Sequence, residues 1–243
     1  RQHMRATCRD HEAFLDLVFD GKPDVRAYAL RLLTLLLVGA RYQQIAIFLH
    51  GAGGNGKSAL LTALKAVLGD YAQSAKIEFF LTQRFESASK ATPDEVELPG
   101  ARALIASEPD GRDEMSAKKI KAFTGGDERP ARALNMPQFV YRPCGIPVIS
   151  ANRLPKIRDD SAGFWRRFHI IPFDRDLTKL EKGKRRKPRD VDRMLAAEAS
   201  GILNLLLDHL PDALDDLRVP PAVQTYIDEL RGDVDTIGGF LKE

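Results

Sequence analysis

In HGAGGNGKSALL, His50 to Leu61, the residues Gly51, Gly56, Lys57 and Ser58 stand at the spacing G-x-x-x-x-G-K-[ST]. That spacing does one kind of chemistry well. Glycines let the backbone turn tightly and aim N–H groups at phosphate oxygens, and the positive end of a following helix adds to their pull. Lys57 is placed to reach the β- and γ-phosphates of a nucleotide, and the Ser58 hydroxyl to bind Mg²⁺. Gly53, Gly54 and Asn55 complete the phosphate-binding loop, so ATP and Mg²⁺ are the expected cofactors. Through Gly54 the loop also fits G-x-x-G-x-G-K-S, a spacing used by small-molecule kinases. A kinase reading therefore stands beside any other ATP-driven one.

Hydrolysis at such a loop needs an acid facing the metal and a group that orients the attacking water. Glu108 closes the apolar run ARALIASE and is the candidate for both tasks. Asn152 closes another apolar run, IPVISAN, where an amide can bond the γ-phosphate or the water. A turn-forming Asn before RLP is the plainer reading of that residue. Arg166 and Arg167, in GFWRRFHIIPF, are the cations nearest a third apolar run. An arginine that reaches a γ-phosphate stabilises transition-state charge, worth about 10³–10⁵ in rate.

These residues require elements to hold them. IAIFLH (Ile45–His50) is an apolar run of strand length that feeds the glycine loop. After the loop, Leu60, Leu61, Leu64, Val67 and Leu68 recur at helical spacing until Gly69. ARALIASE, IPVISAN and FHIIPF read as further buried strands, with SAKKIKAF as a short helix between the first two. TGGDERPARALNMPQFVYRP has turn residues flanking two hairpin arms. Strands separated by helices predict an α/β fold, a central parallel sheet flanked by helices. An N-terminal helical region, with its turn at DGKPD, precedes the sheet. After the basic run Lys179–Asp190, VDRMLAAEASGILNLLLDHL reads as one long apolar-striped helix.

Bulk composition agrees and excludes little. The 243 residues are 44% apolar and 29% charged, enough for a sizeable core, and a net charge of +3 permits a nucleic-acid partner without arguing for one. The most apolar stretch, Leu30–Ala40, is too short to span a bilayer and contains Arg31, so no membrane partner is expected. Cys8 and Cys144 have no metal-ligand spacing, which predicts no zinc site and a reduced, cytoplasmic setting. The leading RQHM reads as a cut rather than a targeting signal.

Taken together, GAGGNGKS, ARALIASE, KIKAFTGGDERPAR, ISANRLP and FWRRFHIIPF resemble, in order and approximate spacing, the motifs of superfamily 3 helicases. More narrowly they look like the helicase part of phage, plasmid and poxvirus-type primase-helicases. The resemblance covers roughly residues 45 to 175, and the flanking segments look similar too. It implies a three-part organisation: a helical region at 1–44, an AAA+ P-loop ATPase core at 45–178, and C-terminal helices at 179–243 that lead to a DNA-binding domain beyond this chain.

It also implies a ring, usually a hexamer, around single-stranded or forked DNA. ATP sits between neighbouring copies in that arrangement, and movement runs 3′ to 5′. Lys57 and Ser58 then act as above, Glu108 is the Walker B acid, Asn152 the sensor, and the arginine finger comes from the adjacent copy, with Arg167 preferred and Arg166 second. Lys121 matches the lysine of the family's extra motif, and Arg129, Arg132 and Arg142 are the hairpin-region candidates for DNA phosphates. A primase domain is expected on the full-length chain, which would work at replicating DNA in the host-cell cytoplasm. The chain departs from the pattern in two places. Ser107–Glu108 stands where many members carry two acids, so Glu108 serves alone or Asp110 assists; and the presumed hairpin tip, NMPQ, lacks the usual lysine or aromatic residue. A kinase and a non-catalytic DNA-binding ring or loader are the alternative readings.

Overall fold

Four apolar runs and one short polar one build the central sheet of this computed structural model. It describes residues 5–39, 43–82, 93–109, 113–134, 136–158, 161–181 and 185–239, the side chains of 93–94 and 233–239 apart. Asp110, Asn135, the leading RQHM and residues 182–184 of the basic run lie outside these. In chain order the strands are β1 (Ala46–His50), β2 (Ala72–Ser74), β3 (Ala103–Ser107), β4 (Arg129–Ala131), β5 (Phe139–Tyr141), β6 (Ile146–Ala151) and β7 (Phe168–Pro172). Five of them form a parallel sheet in the order β2-β3-β6-β1-β7, while β4 and β5 pair as an antiparallel hairpin. The edge strand β2, only AQS, carries no apolar signal and was not foreseen.

Because every pairing in the large sheet is parallel, all its strands end on one side, where ligands of open α/β sheets bind. The register aligns those ends. Ser150 of β6 stands opposite Leu49 of β1 and Ser107 of β3. One residue further on, the Glu108 N–H donates to the Ser150 carbonyl (2.9 Å). β6 thus lies between the strand that enters the glycine loop and the strand that ends in Glu108.

The helices are α1 (Arg9–Val18), α2 (Pro23–Leu35), α3 (Lys57–Leu68), α4 (Pro93–Val96), α5 (Ala117–Gly125), α6 (Ala162–Trp165), α7 (Pro188–Ala197), α8 (Ala199–Asp208), α9 (Leu210–Asp215) and α10 (Pro221–Gly239). α3 buries Leu60, Leu61, Leu64 and Leu68, the face its leucine spacing predicts. One contiguous hydrophobic core runs from Cys8 and Phe14 through the sheet to Leu195, Val223 and Ile227, so it crosses positions 44 and 178. Inside it, Tyr28 of α2 and His169 of β7 share a 2.6 Å hydrogen bond.

The long helix expected after the basic run is instead α7, α8 and α9. Glu198, at the break between α7 and α8, is tied to α1. Its carboxylate accepts from the N–H groups of Asp10 and His11 at the start of α1 (3.1 and 2.8 Å). Three residues on, a Cβ at Gly201 would lie 2.1 Å from the Thr7 carbonyl, so only glycine lets the chain before α1 approach that closely. No helix among the described residues is long and apolar enough to cross a membrane.

Candidate nucleotide site

The glycine loop joins β1 to α3, the context its motif requires. Gly56, at the N-cap of α3, has φ +96°, a conformation open to glycine. A Cβ there would also press on the Phe14 ring at 3.0 Å, so the position needs glycine twice over. α3 begins with no side-chain cap and no acid in its first turn, which leaves its positive end directed at the loop.

Lys57 is buried, and its ammonium donates to Gly51 O (2.5 Å), Ala52 O (3.1 Å) and Asn55 Oδ1 (3.0 Å). Burial holds its pKa below the usual lysine value. Asn55, buried too, donates through Nδ2 to the Phe173 carbonyl (2.8 Å), and Gly54 O accepts from Leu177 N (2.9 Å). The segment that leaves β7 therefore braces the loop. Nothing in the motif announces that contact.

A cavity of about 810 Å³ opens at the strand ends. Gly53 to Ser58, Ser107, Glu108, Ser150 and Asn152 line one side, so the loop, the candidate acid and the candidate amide share one space. Gly51 stands just behind, its backbone against Phe173 O. Glu108 is the sole described non-glycine residue with positive φ (+61°), a left-handed conformation that costs a glutamate about 1–3 kcal/mol. Strain of this kind gathers at working sites.

The opposite wall was not foreseen. Phe14 and Leu17 come from α1, Leu180 from the connector, and Val191 and Met194 from α7, giving an apolar slot of the kind a nucleobase fills. Asp10, Asp192, Arg185 and Arg186 stand around it. In sequence these residues show only ordinary amphipathic spacing. Loop, slot, helix N-terminus and buried lysine together fit a nucleoside triphosphate. Ser58 and Glu108 offer the two oxygen ligands a phosphate-bound Mg²⁺ takes from protein.

The two arginines part ways. Arg167 is only 8% exposed, and its guanidinium donates to Thr124 Oγ1 (3.1 Å), Gly163 O (2.5 Å) and Gln44 Oε1 (2.5 Å). Burial and then the neighbouring Arg166 hold its pKa down. Arg166 is exposed and touches Gln44 Oε1 only at 3.4 Å. Arg167, preferred from the sequence as the residue that reaches an adjacent copy, is thus bonded within its own chain, while Arg166 stands at the surface.

The hairpin candidates also separate. Arg129 forms a two-pronged pair with Glu95 (3.2 and 3.0 Å), which also accepts from Tyr141 Oη (3.1 Å), and lies over the rings of Phe79 and Phe123. It anchors the hairpin to α4 and α5 and is withdrawn as a phosphate contact. Lys121 donates to Ser161 Oγ (2.8 Å) on the seam between α5 and α6, not on the hairpin. Arg132 and Arg142 are exposed one residue past β4 and β5, Arg142 pairing with exposed Glu128 at 3.0 Å. Toward the tip, Leu134 and Met136 are 73% and 59% exposed.

Comparison with known proteins adds relatives to this geometry. Residues 49–167 match a family of unknown function, DUF5906. The chain is similar to putative helicase L207/L206 of Acanthamoeba polyphaga mimivirus, 37% identical over 167 residues, which cover 69% of this chain and 17% of that protein. It is similar also to putative helicase 022R of Frog virus 3 (isolate Goorha), 31% identical over 166 residues, or 67% and 17% of the two chains. The chain thus spans about one-sixth of the length of these curated relatives. Its fold resembles the C-terminal region of NrS-1 (TM-score 0.66, 14% identity, 96% of this chain and 52% of that one). It also resembles JCV helicase, solved with a bound small molecule (TM-score 0.51, 12% identity, 97% and 63%). Motif order, sheet topology and viral relatives agree, and the chain resembles the superfamily 3 helicases, with putative helicases of large DNA viruses among its relatives.

Proposed function

We propose that this chain is the motor of an ATP-dependent DNA helicase or translocase, part of a viral or mobile-element replication protein. The observation that carries the reading is the shared cavity: Lys57, Ser58, Glu108 and Asn152 face one space at the ends of adjacent strands.

The lysine ammonium, held by two loop carbonyls and Asn55, would exchange those acceptors for phosphate oxygens. Ser58 and Glu108 would hold Mg²⁺, which when bound neutralises phosphate charge. Glu108 then aligns the attacking water and Asn152 reads the γ-phosphate. The base lies in the slot between α1 and α7. Arg166 of one copy would complete the site of the next, so a ring is the working form, a hexamer by resemblance. Arg132 and Arg142 carry the DNA phosphates on the hairpin, with Lys121 at the seam beneath. Movement 3′ to 5′, a primase domain on the same full-length chain, the three-part layout at 1–44, 45–178 and 179–243, and action at replicating DNA in the host-cell cytoplasm belong to the same proposal.

One experiment separates the readings. ATP hydrolysis is measured with and without single-stranded DNA, alongside the particle mass in solution. A motor hydrolyses ATP, is stimulated by DNA and forms a ring. Turnover that needs a small acceptor and ignores DNA would replace it with a kinase, and DNA binding without turnover with a scaffold. Lys57→Ala should lower hydrolysis at least about a hundredfold; unchanged turnover removes the site assignment.

A further inference from the structure

α10 packs beside β7 and makes one contact near each of its ends. Near its start, Tyr226 Oη and His50 Nδ1 share a 2.7 Å hydrogen bond, with the two rings 5.8 Å apart. His50 is the last residue of β1 and directly precedes Gly51, whose carbonyl holds the Lys57 ammonium. Further along, the Arg231 guanidinium lies 4.0 Å above the Trp165 ring. Trp165 ends α6 and directly precedes Arg166 and Arg167. Beside these contacts Val223 and Ile227 are buried, and the helix packs along the edge strand β7.

The pairing is directional. β7 pairs with β1 in parallel, so His50 stands opposite Pro172 at the loop end, while Trp165 stands before Phe168 at the other. A rigid helix packed on the core can carry a change at one contact to the other. We infer that α10 is a strut linking the nucleotide loop to the arginine-bearing turn of the same chain, with Tyr226 as a positioning residue for the loop through His50. The inference rests on the P-loop site proposed above. It goes further, because it assigns α10 a part in how the arginine edge registers a filled loop.

Trp165 is the single tryptophan of the chain and reports the far contact directly. The test follows its emission while ADP is titrated into the full chain, with ADP binding measured independently by calorimetry. To keep a neighbour's nucleotide out of the signal, trace wild-type chain is diluted into an excess of Lys57→Ala, Trp165→Phe chain, which is dark and binds no nucleotide. The expected result is an emission change that persists under dilution and saturates with ADP binding. Tyr226→Phe keeps the ring and the fold but loses the hydroxyl. It should abolish the emission change while ADP affinity falls about two- to tenfold. Arg231→Ala should abolish the change with ADP affinity at the wild-type value. ADP binding with no change in emission, or a full response in Tyr226→Phe, overturns the strut. No ADP binding at all overturns the site reading instead, and the calorimetry tells the two failures apart.

Discussion

Arg167 donates from Nε to Thr124 Oγ1 across 3.1 Å, and this buried bond sets it apart from the adjacent, exposed Arg166. Thr124 itself donates to Ile120 O (2.7 Å), so the arginine is tied into α5. Arg166, one residue earlier, stays at the surface.

The pair should therefore separate in assays. Arg166→Ala keeps ATP binding near wild type while hydrolysis drops about a thousandfold, the scale of a lost arginine finger. Mixing it with Lys57→Ala chain restores part of the activity, since one copy brings the loop and the other the arginine. Arg167→Ala instead loses stability, about 1.5–3 kcal/mol for charge-assisted bonds to buried partners, read as a lower midpoint in urea. Equal loss of hydrolysis at equal stability in the two variants would undo the distinction.

Glu108 combines a left-handed backbone with a place in the cavity. Asn adopts φ > 0 more readily than Glu. Glu108→Asn should then leave thermal stability unchanged or raised, while hydrolysis falls at least about a hundredfold. A variant that both unfolds more easily and turns over normally would mean that the residue is structural.

On the hairpin, Arg129→Ala leaves buried Glu95 without its cation and should cost about 3 kcal/mol, with no change in the salt slope of DNA binding. Arg132→Ala should do the reverse: stability holds, and the slope of log K against log salt flattens by about 0.7 for a single-strand phosphate contact. An unchanged slope strikes Arg132 from the DNA contacts.

His11 and His169 are buried, and burial pushes both from the ordinary 6.5 down to about 4. A histidine kept neutral in the fold stabilises it fully above its unfolded pKa. Below that, the unfolded chain takes up a proton that the fold refuses. Stability should therefore be lost as pH falls from about 6.5 toward 4, by about 1.4 kcal/mol per pH unit for each histidine. His11 Nδ1 has no hydrogen-bond partner, so His11→Phe should fold and lose about half of that acid sensitivity. Urea midpoints across this pH range measure it, and an unaltered pH slope in His11→Phe would clear His11 of a part in it.

What could be read from the residue string was local. Apolar runs of strand length around 45, 103, 146 and 168, the glycine loop and the leucine stripe of α3 each depend on neighbours within a few positions, and each took its expected form. The place of Glu108 and Asn152 at the cavity was legible because a polar residue ending an apolar strand must emerge at the strand's end. Tertiary packing decided the rest. Arg129 is paired with Glu95, 34 positions away, and Arg167 donates to Gln44, 123 positions away; no local pattern carries either partner. The wall facing the glycine loop is assembled from α1 and α7, and the Glu198 carboxylate at the helix break serves the start of α1. Periodicity tells which face of an element is buried. It leaves open what that face meets, and for a charged side chain the partner decides whether it braces the fold or faces a ligand.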